Sequence, residues 1–254
     1  MALAGGGARG FAHIGVIRAL EESGITVDCL SGASIGAVVG AFYAAGNTPD
    51  QMLQIAKNIS PRRLKAVSSL HFRRVALDYV EELLEQHVVV NTFEELKIPL
   101  YVNATNFQTS ECVYFSSGAL FRAVKASAAI PIRYAGQIID SVMYVDGGLT
   151  NNLPAQPLRA RCKVVIGVSI NPVDTYPVAK MSIKQKIMQA AGIVLSETEV
   201  RSIALCDYHI TIPGLGRYGL EDYQYAQEIH DLGYQAGKAF VAVFGDQLTA
   251  TSDQ

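Results

Sequence analysis

The feature that most constrains this chain is its opening run, Ala2-Leu3-Ala4-Gly5-Gly6-Gly7-Ala8-Arg9-Gly10-Phe11-Ala12-His13-Ile14-Gly15. Met1–Ala4 has room only for a short strand. Phe11–Ser23 places Ile14, Ile17, Ala19 and Leu20 at helical spacing and stops at Gly24, a good C′ residue. A strand that passes through glycines into a helix turns several backbone amides toward one point, where an anion can sit. Gly5-x-Gly7-x-x-Gly10 satisfies the dinucleotide fingerprint, and Asp28 stands at about the distance of a ribose-binding carboxylate. The same loop can equally cradle an oxyanion. Alone, it does not choose.

The rest of the chain alternates strand and helix signals. Thr26–Ser31 reads as a second strand, and Ile35–Ala45 as a helix of small apolar residues suited to burial on all sides, ending at Gly46. Thr48-Pro49 reads as an N-cap and first helical position for a helix through Asn58. Val75–His87 is amphipathic, and Thr92-Phe93-Glu94-Glu95 is a capping-box sequence for a short helix. Ile98–Thr105 and Glu111–Phe115 alternate as strands, Leu120–Ala129 is helical, and Ile138–Val145 is a strand pair broken at Asp140-Ser141. Lys163–Ile170 is the nearly continuous apolar strand expected inside a parallel sheet. Ser182–Leu205 and Glu221–Phe244 read as helices around a strand at Tyr208–Ile212. Pro172–Lys180 and Pro213–Leu220 read as loops, the second glycine-rich enough to move. This order predicts an α/β fold with a mostly parallel sheet, and 254 residues suit a single domain over 1–254.

A second motif bears on the first. Gly32-Ala33-Ser34-Ile35-Gly36 is a G-x-S-x-G between a strand and a helix, the context of a nucleophile elbow. There a serine sits on a tight turn at a helix N-terminus, where amides and the helix dipole favour developing negative charge. Gly32 and Gly36 would let strand and helix approach, although glycines that merely permit packing around a capping serine read the same way. A serine nucleophile needs a base, and Asp146 stands in Tyr144-Val145-Asp146-Gly147-Gly148 directly after a strand. There it would project from the carboxyl end of the sheet, where doubly wound folds place their sites; a lone Asp-Gly is otherwise a turn. Paired directly with Ser34, it would need no histidine. A carboxylate of ordinary pKa, roughly 3.9, is a weak base for a hydroxyl, and partial desolvation would raise it.

Gly5-Gly6-Gly7-Ala8-Arg9-Gly10, Gly32-Ala33-Ser34-Ile35-Gly36 and Asp146-Gly147-Gly148, in that order, resemble the patatin-like phospholipase family. The stretches from His13 to Glu22, Ala126 to Pro131 and Asn151 to Pro154 resemble it as well, so the likeness covers roughly residues 2–170. It implies a three-layer α/β/α fold and a Ser-Asp dyad lipid acyl hydrolase that needs no metal or cofactor. Ser34 would be the nucleophile and Asp146 the general base. The amides of Gly5, Gly6, Gly7, Ala8, Arg9 and Gly10 would form the oxyanion hole, and Gly32, Gly36, Gly147 and Gly148 would support the elbow and the aspartate. Arg9 would hold the loop or meet a lipid phosphate, unless it is a surface ion pair. The implied substrate is an acyl ester of a phospholipid or lysophospholipid. Ile132-Arg133-Tyr134 departs from the more apolar stretch usual after Pro131.

Bulk properties narrow the alternatives. A net charge of −2 argues against a nucleic-acid binder. Cys29, Cys112, Cys162 and Cys206 are scattered, which suits reduced thiols in the cytoplasm and not a zinc site. No signal-peptide pattern is visible, and Gly36–Gly46 is far short of the roughly 20 residues that span a bilayer. The expectation is a cytoplasmic protein, with peripheral membrane contact as an option through Pro61-Arg62-Arg63-Leu64-Lys65 and His71-Phe72-Arg73-Arg74. A solvated charged face is the plainer alternative for both clusters. Two rival functions stay open: a Ser-His-Asp esterase drawing on His209 or His230, and a non-catalytic nucleotide- or lipid-binding module. His13 is expected to pack or hydrogen-bond near the loop, and His71 and His87 to be solvated.

Overall fold

The computed structural model describes residues 1–65, 72–131, 133–172 and 183–252, without the side chains of residues 65, 72–76, 183–191 and 249–252. Its strands are β1 (Ala2–Leu3), β2 (Leu30–Gly32), β3 (Leu100–Asn106), β4 (Cys112–Phe115), β5 (Gln137–Ile139), β6 (Val142–Asp146), β7 (Ile166–Ser169) and β8 (Tyr208–Thr211). They form one sheet in the order β5-β6-β3-β2-β1-β7-β8, with β4 also on β3. The centre is parallel, from β3 through β2, β1 and β7 to β8, and the antiparallel pairs involve β4, β5 and β6. From β1 the chain goes to β2 on one side, while β7 later fills the other. The loop leaving β1 therefore sits at a topological switch point, where open α/β sheets bind ligands.

Helices flank the sheet: α1 (Phe11–Glu21), α2 (Ile35–Ala44), α3 (Pro49–Asn58), α4 (Pro61–Lys65), α5 (Phe72–His87), α6 (Leu120–Ser127), α7 (Gln156–Arg159), α8 (Ile183–Ile203) and α9 (Ala226–Ser252). The alternation of strand and helix seen in the sequence thus folds as a mostly parallel sheet covered by helices. Leu3, Ile17, Leu20, Leu30, Leu153 and Ile170 are fully buried around it. The residues of α2 are almost all buried, in keeping with their small apolar side chains. α3 carries the full capping box, with Thr48 and Gln51 bonded reciprocally, and Pro49 at its first position. α1 and α9 cross closely because Gly15 and Gly233 face them: a Cβ on either would overlap a carbonyl of the opposite helix, His230 or Ala12.

Several boundaries depart from expectation. The strand expected at Thr26–Ser31 pairs only over Leu30–Gly32, because its neighbours offer backbone only at Ala2–Leu3 and from Leu100. Thr92 does not cap a helix; its hydroxyl donates to Glu95 at 2.6 Å, while its backbone bridges Ala119. Only a 3-10 turn, Phe93–Glu95, follows. The last helix begins at Ala226, not Glu221, because Tyr223–Tyr225 forms a separate turn, and it runs on to Ser252. α4 and α7 carry no periodic signal and were not expected. Asp140 and Ser141 both have positive φ, 49° and 66°, as a two-residue hairpin turn requires. Residues 173–180 of the loop expected at Pro172–Lys180, and Ser182 at the start of the next helix, lie outside the described residues.

Candidate active site

β2 ends at Gly32, and the chain turns through Ser34 into α2. Ser34 has φ 52° and ψ −121°, a conformation that costs a non-glycine residue on the order of 1–3 kcal/mol. Its surroundings hold it there. A Cβ on Gly32 would overlap Gly36, and one on Gly36 would overlap the Leu3 carbonyl, so both glycines are needed for β2, β1 and α2 to meet. The Ser34 amide donates to the Ser127 hydroxyl at 2.8 Å, and its carbonyl accepts from Ala37 and Val38. Ser34 thus stands at the amino end of α2, side chain free to reach another strand.

That strand is β6. Gly32 lies opposite Val102, and Asp146 lies opposite Ala104. Ser34 is two residues past Gly32 and Ala104 is two past Val102, so the register brings serine and aspartate level. The Ser34 hydroxyl donates to Asp146 Oδ2 at 2.7 Å. Asp146 Oδ1 accepts from the Gly148 amide at 2.8 Å, and Thr105 Oγ1 donates to the Asp146 carbonyl at 2.9 Å. The route differs from the one expected: β6 is antiparallel to β3, so Asp146 does not extend from the carboxyl end of a parallel strand. The 3-10 turn Gly147–Leu149 follows it, with Gly147's carbonyl held by Asn103 Nδ2 at 3.1 Å. Ser34 and Asp146 are 7% and 5% exposed. Burial pushes the Asp146 carboxyl up to about 6, against the opposing pull of its bonds to Ser34 and Gly148.

The glycine loop reaches the same place. Gly5 lies against the Ser34 side chain, its missing Cβ only 3.0 Å from the Ser34 Cβ. Not all six of its amides are available, as the resemblance implied. The Gly5 amide donates to the Asn152 carbonyl, Ala8 to Leu220 and Arg9 to Gly6. The Gly6 and Gly7 amides meet no acceptor among the described residues. Gly10 closes the 3-10 turn Gly7–Gly10 against Ile35. Arg9 Nε donates to the Tyr218 carbonyl at 2.7 Å, so Arg9 ties the loop to its neighbour and pairs with no carboxylate among the described residues. The segment Pro213–Leu220, expected to be mobile, is anchored on the glycine loop by these Tyr218 and Leu220 contacts, and Glu221 pairs with Arg133 just beyond.

No histidine bonds to Ser34 or Asp146 among the described residues. His209 Nε2 meets Ser169 Oγ at 2.8 Å, and His230 Nδ1 meets Asp231 at 2.9 Å. His13 is fully buried with Nε2 2.8 Å from the Ala4 carbonyl, and burial lowers its pKa to about 4, so it is neutral and donates there. His71 lies outside the described residues, whereas His87 is exposed. No cluster of metal-ligating groups occurs among the described residues. The four cysteines are free and half-buried.

Beside the site runs an apolar cleft lined by Phe11, Ile35, Val39, Ile55, Ala56 and Leu64, among others. Phe11 follows the glycine loop and Ile35 follows Ser34, which puts one end of the cleft next to the dyad. Of the basic segments, Arg63 is engaged by Glu82 at 2.6 Å and lies over the Tyr79 ring at 4.1 Å, while Arg62 is exposed. The side chains of 72–74 are outside the described residues. A buried polar cluster escaped the sequence reading: Asn152, Ser169, Asn171 and Glu199. Asn152 lies in one of the stretches noted for resemblance; Glu199 had no local signal in its helical run.

A patatin-like phospholipase family profile matches residues 1–159, well over half of the chain. The chain belongs to the patatin-like phospholipase family. It is 35% identical over 181 residues to an uncharacterised NTE family protein of Mycobacterium bovis, covering 70% of this chain and 50% of that protein. It is 29% identical over 272 residues to a lysophospholipase of Emericella nidulans, covering 95% of this chain and 18% of that protein. The chain therefore spans half or less of the length of these relatives. VipD from Legionella pneumophila superimposes with a TM-score of 0.46 at 15% identity, covering 90% of this chain and 66% of that one. The profile of this patatin-like family member takes in the glycine loop, Ser34 and Asp146, but neither Asn171 nor Glu199.

Proposed function

We propose that residues 1–254 act as one serine acyl hydrolase domain that cleaves acyl esters of phospholipids or lysophospholipids with a Ser34-Asp146 dyad. The observation that carries this reading is the buried 2.7 Å hydrogen bond between the Ser34 hydroxyl and Asp146, with no histidine joined to either among the described residues. Asp146, raised to about 6, takes the Ser34 proton as Oγ attacks the ester carbonyl carbon. The Gly6 and Gly7 amides, which meet no acceptor among the described residues, receive the charge that develops on the carbonyl oxygen, each such donor being worth about 10²–10³ in rate. Collapse expels the alcohol, which takes the proton from Asp146. A water activated by the same carboxylate then releases the fatty acid and restores Ser34.

The apolar cleft ending at Ile35 suits an acyl chain, which is why a lipid ester is favoured over a small polar one. Its rim at α4 pairs buried Leu64 with exposed Arg62, an arrangement suited to peripheral contact with a membrane. No helix among the described residues is long and apolar enough to cross a membrane. The test is a panel of acyl-ester substrates run with wild type and Ser34→Ala, with fluorophosphonate labelling of both. The expected result is turnover of long-chain esters and a fluorophosphonate adduct in wild type, and neither in the variant. A folded wild type that takes no adduct at Ser34 would sink the proposal.

A further inference from the structure

We propose that Glu199, through Asn152 and Asn171, is a positioning residue for the reaction, a role that rests on the Ser34-Asp146 reading. Two side-chain amides bridge the same pair of oxygens. Asn152 Nδ2 donates to the Gly5 carbonyl at 3.2 Å and to Glu199 Oε1 at 2.6 Å. Asn171 Nδ2 donates to the Gly5 carbonyl at 2.6 Å and to Glu199 Oε1 at 3.0 Å. Each amide spends both of its N–H groups on one backbone carbonyl and one carboxylate oxygen. Turning either amide over would place its own oxygen against two others, so the orientation of both is dictated by the acceptors.

Glu199 is what dictates it. The residue is 4% exposed, and its second oxygen accepts from Ser169 Oγ at 2.5 Å. Ser169 in turn meets His209 at 2.8 Å, so the carboxylate is fixed from both sides. Three donors, from Asn152, Asn171 and Ser169, offset the cost of desolvating this carboxylate.

The geometry reaches the chemistry through one peptide plane. All peptide bonds described are trans, so the Gly5 C=O and the Gly6 N–H point in opposite directions from a rigid unit. Two hydrogen bonds that hold the carbonyl toward Asn152 and Asn171 thereby hold the Gly6 N–H away from them. That amide is one of the two in the loop without an acceptor among the described residues, and Gly5 lies against the Ser34 side chain. Two donors on the carbonyl also polarise the peptide, which makes its N–H a stronger donor. The clamp thus fixes and strengthens an oxyanion donor that glycine, with its free backbone, would otherwise leave loose.

The experiment compares Glu199→Gln, Asn171→Ala and the double variant with wild type and Ser34→Ala in an acyl-ester assay. Fluorophosphonate titration counts the active sites, so rates are expressed per competent site. Glutamine keeps the shape of Glu199 but replaces the carboxylate oxygen that both asparagine amides meet with a neutral, weaker acceptor; Asn171 is only half-buried, so its truncation tests the clamp even where Glu199→Gln does not fold. The expected result is that each single variant lowers kcat per site by about 10- to 100-fold, below the full worth of one oxyanion donor, with KM within about twofold. The double variant should lose no more than the worse single one, because both changes open the same clamp. Fewer active sites that each turn over at the wild-type rate would mark the cluster as structural only and overturn the role. A dead Ser34→Ala beside clamp variants of undiminished kcat would remove the clamp and leave the dyad standing. An active Ser34→Ala would remove both.

Discussion

Residues up to 159 and residues from 166 onward contribute to the site in different ways. On the proposed mechanism the first region supplies the reacting groups: Ser34, Asp146 and the Gly6 and Gly7 amides. The second braces the glycine loop: Asn171, bonded to Glu199, donates to the Gly5 carbonyl, Tyr218 accepts from Arg9, and Leu220 takes the Ala8 amide. The difference shows where each kind of residue is constrained. A reacting serine needs a fixed residue type on a fixed local turn, which leaves a short motif. A support needs only a carbonyl or carboxylate at the right point in space, which many sequences can deliver.

The comparison breaks most sharply at Ser34. Ser34→Ala should reduce ester turnover by about 10⁴-fold or more while the fold survives, since a buried hydroxyl is replaced without loss of packing. Asp146→Asn should cost about 10³- to 10⁴-fold in kcat by removing the base. It should also stabilise the protein. The folded-state pKa of Asp146 is raised to about 6 from 3.8, so the native state binds more protons between those values and stability falls as pH rises through them. The deficit is fully present above pH 6 and absent well below pH 4. Chemical denaturation should therefore show a gain on the order of 2–3 kcal/mol for Asp146→Asn at pH 8 and none at pH 3. The same titration sets activity: wild-type kcat/KM should fall about tenfold per pH unit below about 6, as the carboxyl gains the proton that it must accept.

Opening the clamp from the second region should cost less than either change to the dyad, about 10- to 100-fold in kcat. Equal losses for the two regions would erase the distinction between reacting and positioning groups. Ala56→Phe, which narrows the apolar cleft, should lower the long-chain to short-chain ratio of kcat/KM by about tenfold with short-chain turnover unchanged. The smallest effect lies away from the site. Thr48→Ala removes the α3 capping box and should cost about 1 kcal/mol in a denaturant titration, with kcat per site unaltered.

Much of the fold was legible because its signals are local. The apolar run ending at Ile170, the positive-φ turn at Asp140-Ser141 and the Thr48-Pro49 start each follow from a few adjacent residues. The errors came where partners decide. Thr26–Cys29 has strand composition but no neighbouring strand at that level, and Thr92 has a capping sequence but is drawn into a bridge with Ala119. The glycine loop was overdrawn for the same reason: its six amides look equivalent in sequence, yet Leu220, Asn152 and the loop itself occupy three of them.

The sequence by itself determined that a glycine loop, a serine on a tight turn and an aspartate before two glycines follow strands in order. Motif spacing along the chain carries that much, because each element is built within a few residues. Tertiary structure alone decided that the Val102 and Ala104 register sets Ser34 beside Asp146, that burial lifts the carboxyl toward 6, and that two asparagines bonded to a glutamate 194 positions beyond Gly5 donate to its carbonyl. These depend on which strands and helices become neighbours, and desolvation and hydrogen-bond geometry exist only once they have.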